Sequence, residues 1–263
     1  MDEPLLEICG LRKSFGGVQA LGPLDFALSR GEICGLMGPN GSGKTVLFNL
    51  ISGHMKPDAG AILLGPKRLD LVPLKPSQRR GLGFSRTYQY TKLFGSMTVI
   101  ENAMVGFGPL PALRSLREVF DLRCRRATER ALREKAGNAL GWFGDRLAPR
   151  SNDLGLSLSY ANRRRLEFAR ALVGSPALML LDEPTAGMNP YETLELQRII
   201  FQLRGQGLTF LIIEHKLFFL EDLADRVMVL VQGKRIAEGS VQEIRSDPGV
   251  RAAYLGDHDA AQA

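Results

Sequence analysis

The sequence predicts an α/β protein whose core is a parallel sheet covered by helices on both faces. Short, nearly continuous apolar runs recur along the chain, as expected of strands that are buried on both sides. Helical patterns at 190–204 and 217–224 alternate with the later runs, which is typical of a sheet with crossover helices. One apolar run leads through a glycine-rich octapeptide directly into a helical pattern.

Five apolar segments are the predicted strands, and the second of them carries the most information. It ends in the glycine-rich turn, and "KTVLFNLISG" follows with Leu47, Leu50 and Ile51 at helical spacing until Gly53. The predicted strands are "LEICGL" (6–11), "EICGLMGP" (32–39), "ALMLLD" (177–182), "TFLIIE" (209–214) and "RVMVLV" (226–231).

The middle of the chain, from about residue 92 to residue 172, differs from its flanks. It contains few strand signals and an arginine-rich run at 114–135. We interpret its centre as a helical subdomain inserted into the α/β core, with a linker near 106–113.

The charge balance is basic, with a net charge of +6 and a pI of about 9.4. Such a balance fits nucleic acid, anionic lipid headgroups or anionic small molecules as partners. Arginines are concentrated at 114–135 and 163–170. The simplest interpretation of both runs is solvated helix faces with internal Glu/Arg pairs.

Several features bear on location and redox chemistry. No apolar run reaches the roughly 18–20 residues that cross a bilayer, and the N-terminus lacks a signal-peptide pattern. We therefore expect a cytoplasmic protein with at most a peripheral membrane role. Cys9, Cys34 and Cys124 form no CxxC pair, and the first two lie in strand-like runs. We expect those two to be buried, reduced thiols.

The octapeptide "GPNGSGKT" (38–45) matches the pattern G-x-x-x-x-G-K-[ST] in full. Its glycines allow several N–H groups to point into one concavity, and the following helix adds the positive end of its dipole. Lys44 would reach β- and γ-phosphates, and the Thr45 hydroxyl would bind Mg²⁺. A glycine-rich turn with an incidental lysine is the alternative. The candidate phosphate-binding residues are Gly38, Pro39, Asn40, Gly41, Ser42, Gly43, Lys44, Thr45 and Val46.

A carboxylate near the metal is the second requirement of such a site, and "ALMLLDEP" (177–184) provides it at a strand end. Asp182 would bind Mg²⁺ directly or through water. Glu183 would polarise the attacking water. An ordinary acidic strand end is the alternative.

Together with "LSLSYANRRRLEFARAL" (156–172) and "LIIEH" (211–215), these motifs resemble an ABC-type ATPase subunit, in the family's order and over nearly the whole chain. The resemblance implies a P-loop NTPase (RecA-like) core with an antiparallel β subdomain and an inserted α-helical subdomain. The implied ABC ATPase domain spans 1–256, the inserted subdomain about 92–172, and 257–263 is a flexible tail. ATP and Mg²⁺ are the implied ligands.

The resemblance also assigns three further residues. Phe15 matches the aromatic residue beneath the adenine ring, although a core position is an alternative. Gln89 matches the glutamine that contacts Mg²⁺ and water and senses the transmembrane partner, with a surface glutamine as the alternative. His215 matches the histidine that holds the γ-phosphate; a structural histidine at a strand end is the alternative. Lys44, Gln89, Glu183 and His215 are thus the candidate catalytic residues, and Thr45, Gln89 and Asp182 the candidate metal ligands.

The family's signature sequence maps onto "LSYAN" with departures. In the family this segment closes over ATP held by the other subunit, and a methyl at position 161 would hinder that approach. In "PTAGMNP", Asn189 stands at a usual aspartate position. These departures weaken the expectation for the ATP site of the other subunit, which this chain's signature would close. The P-loop motifs of this chain's own site are intact. The signature residues are Leu158, Ser159, Tyr160, Ala161 and Asn162.

Further segments are similar to the ATPase subunits of branched-chain amino acid importers, with urea, amide and related systems in the same branch. They include "RTYQYTKLFGSMTVIENAMVG", "IIEHKL" and "VQEIRSDPGVRAAYLG". The resemblance implies two transmembrane permease subunits, a second ATPase subunit of the same or another sequence, and a periplasmic solute-binding protein. It places the chain at the cytoplasmic face of the membrane.

Three rival functions remain open on sequence alone. An ABC ATPase acting on nucleic acid is disfavoured by the absence of a second ATPase unit or a long coiled coil, so we expect no nucleic-acid partner. A non-hydrolysing regulatory subunit is disfavoured by the intact catalytic motifs. An exporter or another importer branch is disfavoured only by the branch-level resemblance. The solute, the pairing partner and the role of 114–135 stay undetermined.

Overall fold

The structure, a computed structural model, describes residues 3–89, 93–108 and 122–260. The chain divides into two compact units, the first formed by 1–86 with 177–263 and the second by 87–176. Parts of the predicted linker and of the arginine-rich run (109–121), residues 90–92, and the end of the predicted tail (261–263) lie outside the described residues. The side chain of Cys124 also lies outside them.

The described part of the chain forms ten strands and nine α-helices. The strands are β1 (Pro4–Phe15), β2 (Val18–Ser29), β3 (Ile33–Met37), β4 (Ala59–Leu64), β5 (Leu69–Asp70), β6 (Phe84–Arg86), β7 (Leu178–Asp182), β8 (Thr209–Ile213), β9 (Arg226–Val231) and β10 (Lys234–Gly239). The helices are α1 (Lys44–Ser52), α2 (Pro76–Gly81), α3 (Val99–Met104), α4 (Leu122–Gly141), α5 (Tyr160–Leu172), α6 (Pro190–Gly205), α7 (Leu217–Glu221), α8 (Val241–Ser246) and α9 (Pro248–Ala260). Short 3-10 helices occupy Val105–Phe107, Gly144–Arg146, Ala148–Arg150 and Gly155–Ser157.

The first unit contains both sheets. A six-stranded sheet has the order β10-β9-β3-β8-β7-β6, parallel except for β10, which pairs antiparallel with β9. A four-stranded antiparallel sheet has the order β2-β1-β4-β5. The α/β fold with a parallel core and an antiparallel β subdomain is therefore confirmed.

The central strands are buried along their whole length. Every residue of β3, β7 and β8 is buried, which explains why their sequences are apolar without alternation. Four apolar residues of α1 are inaccessible to solvent and join the same core: Leu47, Phe48, Leu50 and Ile51. This burial fixes the start of α1 at the end of β3, where the glycine-rich octapeptide lies.

The second unit is helical in its described residues. Its core includes an edge-to-face contact between Phe143 and Phe168, whose ring centroids lie 5.8 Å apart. Fully buried Asn102 organises the turn before α3, since its side chain accepts from the Phe94 N–H and donates to the Phe94 and Met97 carbonyls.

Two interpretations of the sequence were wrong in detail. Within 163–170, Arg164 and Arg165 are buried rather than solvated, and Glu167 of the same run is buried too. Cys9 is half-buried, whereas Cys34 is fully buried as expected. No helix in the described ranges is long and apolar enough to span a membrane.

Candidate functional site

The octapeptide connects β3 to α1 and has the backbone that its glycines permit. Gly38 has φ +147°, and a Cβ there would lie 2.1 Å from the carbonyl oxygen of Leu230. Gly43, which precedes α1, has φ +103°, and a Cβ there would lie 2.6 Å from the carbonyl oxygen of Ala20. A side chain at either position would collide with backbone, so glycine is required at both.

Lys44 folds back into the loop that precedes it. Its Nζ atom donates to the carbonyl oxygens of Gly38 at 2.6 Å and Pro39 at 2.8 Å, and it lies 3.4 Å from the Ser42 hydroxyl. The side chain is buried, whereas the neighbouring Thr45 is exposed. A positive charge is thus held inside the loop, and a hydroxyl is available at its rim.

Asp182 ends β7 and forms a buried ion pair with Arg86, which ends β6. The carboxylate Oδ2 lies 3.3 Å from Nη2 of Arg86, and each side chain is only 7% exposed. Arg86 also donates to Asn49 Oδ1 at 2.7 Å and Ser52 Oγ at 3.0 Å, both on α1. Through Arg86, the carboxylate at the end of β7 is therefore connected to α1, the helix that begins at the glycine-rich loop.

Glu183 and His215 face each other at the ends of two adjacent parallel strands. Oε1 of Glu183 lies 3.1 Å from Nε2 of His215. Glu183 has φ +47°, a left-handed conformation that is uncommon for a residue with a side chain. Backbone in this region is found at functional sites, where surrounding structure holds the strain. The structure thus brings together two residues that the sequence analysis named as candidate catalytic residues.

Glu214 is a residue of this site that the sequence reasoning missed. It is buried, and its Oε1 accepts from the backbone N–H groups of His215 at 3.0 Å and Lys216 at 3.3 Å. Its Oε2 accepts from the Thr185 hydroxyl at 2.8 Å. The carboxylate therefore connects the turn that carries His215 to the segment after Glu183. An acidic residue closing the apolar run "TFLII" was the available signal.

Phe15 ends β1 and is 47% exposed, which excludes the core position that the sequence left open. Lys13 lies with Nζ 5.6 Å from the Phe15 ring centroid and is itself paired with Asp58 at 2.7 Å. The aromatic ring is accessible for stacking.

The second unit holds Gln89 and the signature residues. Gln89 is exposed, and its main-chain carbonyl accepts from the guanidinium of buried Arg164 on α5. The Tyr88 carbonyl accepts from Arg164 at 2.7 Å, and the Tyr88 N–H donates to Glu167 at 3.2 Å. The buried charges of α5 thus fix the backbone that carries Gln89.

The signature residues form the start of α5. Ser159 is the N-cap, and its hydroxyl accepts from the Asn162 N–H at 3.4 Å. Tyr160 is exposed, whereas Asn162 is 9% exposed and accepts from Arg165 at 2.9 Å. Asn162 therefore has a role within the helix.

Two family models match the chain. One described as "ABC transporter" matches residues 21–186, which include the glycine-rich loop, Asp182 and Glu183. The chain belongs to the ABC transporter family. It is accordingly an ATP-binding cassette ATPase of a transporter. The second model, described as "Branched-chain amino acid ATP-binding cassette transporter", matches residues 234–260 of this cassette, from β10 to the end of α9.

Relatives and solved structures agree with that membership. The cassette is 39% identical over 267 residues to the high-affinity branched-chain amino acid transport ATP-binding protein LivG of Escherichia coli (strain K12), covering 98% of this chain and 100% of LivG. It is 36% identical over 253 residues to the lipopolysaccharide export system ATP-binding protein LptB of Acidithiobacillus ferridurans, covering 96% of this chain and 97% of LptB. The structure titled as the ADP conformation of MJ1267, an ATP-binding cassette of an ABC transporter, superposes with a TM-score of 0.83 at 30% identity, covering 97% of this chain and 100% of that one.

Proposed function

We propose that this cassette is the ATP-binding and hydrolysing subunit of an importer for branched-chain amino acids or a related small polar solute. The match of residues 234–260 to the branched-chain cassette model carries this proposal. The near-complete coverage of LivG supports it. The cassette would act at the cytoplasmic face of the membrane, beneath two permease subunits that receive solute from a periplasmic binding protein.

ATP is the substrate whose phosphates the glycine-rich loop would bind. Backbone N–H groups within 40–46 and the start of α1 would supply donors and positive potential. Lys44 would leave the Gly38 and Pro39 carbonyls for the β- and γ-phosphates, and exposed Phe15 would stack on the adenine. Because Lys44 is already held inside the loop, its charge is close to where the phosphates would lie.

The residues present fit Mg²⁺. The Asp182 carboxylate and the exposed Thr45 hydroxyl are hard oxygen ligands, and Mg²⁺ usually takes one or two protein ligands with phosphate oxygens and water. Bound there, the ion would neutralise charge on the phosphates. Asp182 is paired with Arg86, so the carboxylate is kept neutralised and in place by a guanidinium.

The hydrolytic step would use Glu183 as the base that orients and deprotonates the attacking water. His215, 3.1 Å away, would hold the γ-phosphate against that water. The Glu214 carboxylate fixes the backbone N–H groups of His215 and Lys216, so the imidazole would be positioned before ATP arrives.

Two cassettes would close head to tail over two ATP molecules, each held by one P-loop and the partner's signature. The side chain of Ala161 adds a methyl where the family has glycine, at the start of α5. Asn189, at the usual aspartate position, caps α6, since its Oδ1 accepts from the Glu192 N–H at 2.9 Å. Pairing with a different cassette would leave one of the two ATP sites weaker than the other.

Export is the second candidate function, and the 36% identity to LptB favours it. The catalytic residues do not distinguish import from export, because both use the same hydrolysis. The branch-specific segment 234–260 is the observation that favours import.

Transport by the assembled complex tests the proposal. The chain would be reconstituted with its membrane subunits in vesicles, and uptake of labelled leucine, a short amide and urea would be measured with ATP and Mg²⁺ on the cassette side. We expect receptor-dependent uptake of one of these solutes, abolished by Lys44→Ala and unaffected by Lys67→Ala at an exposed lysine. Extraction of lipopolysaccharide without solute uptake would instead support export. Absence of Mg²⁺-dependent ATP binding would refute both.

A further inference from the structure

We propose that Tyr254 is a positioning residue for nucleotide binding, through which helix α9 holds the base of the P-loop. The Tyr254 hydroxyl accepts a hydrogen bond of 2.9 Å from the backbone N–H of Gly38. Gly38 is the first residue of the octapeptide, and Tyr254 follows it by more than two hundred residues in sequence. The inference rests on the proposed nucleotide site and adds to it a contact from the C-terminal helix.

The Gly38 N–H lies just where the sheet stops providing partners. β3 pairs with β9 in parallel as far as Met37 opposite Val229, and the chain leaves the ladder at Gly38 with φ +147°. A backbone N–H without a partner at such a position is costly, and the Tyr254 hydroxyl satisfies it. The hydroxyl therefore helps to define the direction in which the loop departs from the strand.

The carbonyl oxygen of Gly38 accepts a hydrogen bond from the Lys44 ammonium group. Nζ lies 2.6 Å from the Gly38 oxygen, the shortest of its contacts in the loop. Holding Gly38 at its N–H thus also fixes the carbonyl from which Lys44 moves to the phosphates. A loop that is already ordered loses less conformational freedom on binding a ligand.

Helix α9 is anchored so that Tyr254 is held in position. Its Val250 is buried, and the Val250 N–H donates to the Asp247 carboxylate at 2.8 Å, which caps the helix. Tyr254 comes four residues after Val250 and therefore lies on the same helical face. Both residues belong to the segment 234–260 that matches the branched-chain cassette model. In this chain, the segment matched by that model thus contacts the glycine-rich loop.

Tyr254→Phe tests the contact, because it removes one oxygen and preserves the ring. The matched control is Tyr191→Phe, which removes the hydroxyl of an exposed tyrosine on α6. Three measurements on the full chain are amide hydrogen exchange of Gly38 without nucleotide, the dissociation constants for ATP and ADP with Mg²⁺, and the thermal midpoint. In the assembled transporter, KM for ATP and kcat would be measured separately.

We expect faster exchange at Gly38 and about three- to tenfold weaker binding of both nucleotides, the loss associated with one hydrogen bond. In the transporter KM rises by a similar factor while kcat changes less than about twofold, because the lost contact acts on binding. Unchanged exchange and unchanged or tighter binding would overturn the proposal. Equal effects in Tyr191→Phe, or a fall in kcat without a rise in KM, would do so too. If the wild-type chain bound no nucleotide, the exchange experiment would still test the contact while the proposed function failed.

Discussion

Nε2 of His215 lies 3.1 Å from Oε1 of Glu183, and the backbone enforces this distance. Glu183 follows β7, and its N–H donates to the Ile213 carbonyl at the end of β8, at 3.0 Å. The two side chains therefore project from the carboxyl ends of adjacent parallel strands, where α/β proteins build their sites. Neither can move far without disturbing strands that are wholly buried.

Glu183→Gln should abolish hydrolysis and retain ATP binding. The amide keeps the size of the side chain and cannot accept a proton, so we expect phosphate release to fall by about 10²–10⁴-fold. The dissociation constant for ATP should change little, and ATP-bound cassettes should accumulate as a closed dimer detectable by light scattering.

Glu129→Gln is the control for loss of a carboxylate, because Glu129 is exposed on α4 in the other unit. It should hydrolyse ATP at the wild-type rate. Hydrolysis by Glu183→Gln at the rate of wild type would show that another group activates the water.

Thr185 and Glu214 should behave as one unit in a double-mutant cycle. Both are buried and joined by a 2.8 Å hydrogen bond, and Glu214 also holds the His215 N–H. We expect Thr185→Val and Glu214→Gln each to lower kcat severalfold. The loss in the double variant, expressed as a free energy, should be smaller than the sum of the two single losses. The interaction free energy should lie within about 0.5–3 kcal/mol.

Thr209→Val provides a matched control for this cycle. Thr209 is also fully buried, and its hydroxyl accepts from the Gly31 N–H at 2.9 Å, away from the loops that carry Glu183 and His215. It should lower thermal stability without changing kcat. Additive effects of the Thr185 and Glu214 substitutions would contradict a role of this pair in positioning His215.

The fold was largely predictable, since the buried strands are recognisable as apolar runs. All five predicted segments contain strands, and the glycine-rich turn joins β3 to α1 as expected. Strand β2 was not predicted, although its Phe26 and Leu28 alternate with exposed residues. Gly22 and Pro23 interrupt the alternation of apolar and polar residues that would have identified it. Such a strand is defined by its partner β1 rather than by its own sequence.

From the residues alone, the site could be predicted only where its residues are contiguous in sequence. The P-loop and the pair Asp182–Glu183 are contiguous in sequence, so the strand ends that carry them could be inferred. Arg164 appeared as one of several arginines in a solvated run, yet it is buried against the Tyr88 and Gln89 carbonyls. A contact between residues so far apart along the chain leaves no periodicity, and the roles assigned to the site residues stay predictions.

Arg79 should be a major contributor to the stability of the P-loop helix. It is 1% exposed, and Nη1 donates to the carbonyls of Leu50 and Ile51 at the end of α1, at 2.5 Å and 2.7 Å. The Leu50 carbonyl also accepts from the Gly53 N–H at 3.2 Å, so the guanidinium adds donors at a helix end that is already closed by the backbone and acts as a buried cap. Burial lowers the pKa of the Arg79 guanidinium below its ordinary value.

Arg79→Met should lower the free energy of unfolding by about 3 kcal/mol, because the charged hydrogen bonds to two buried carbonyls are lost. Arg30→Met, at an exposed arginine of the same unit, should change it by less than about 0.5 kcal/mol. Urea denaturation of both variants measures the difference. Equal stability of the two variants would contradict the capping role.

Cys34 should make the protein less stable in alkali. Burial in β3 raises the pKa of the Cys34 thiol from about 9 to about 12, so the folded chain keeps the proton where the unfolded chain loses it. The contribution to stability is complete below pH 9 and is lost as pH rises from 9 to about 12. In that window the free energy of unfolding falls by an amount that approaches about 1.4 kcal/mol per pH unit.

Comparison with Cys34→Ala isolates this effect from other alkaline titrations. The variant should be less stable than wild type at pH 7, because a buried atom is removed. The difference in free energy of unfolding should narrow by about 1.4 kcal/mol by about pH 10, since only the wild type ionises a thiol on unfolding. Cys9→Ala at the half-buried thiol should show a smaller change. A difference between wild type and Cys34→Ala that stays constant from pH 7 to pH 10 would contradict the raised pKa.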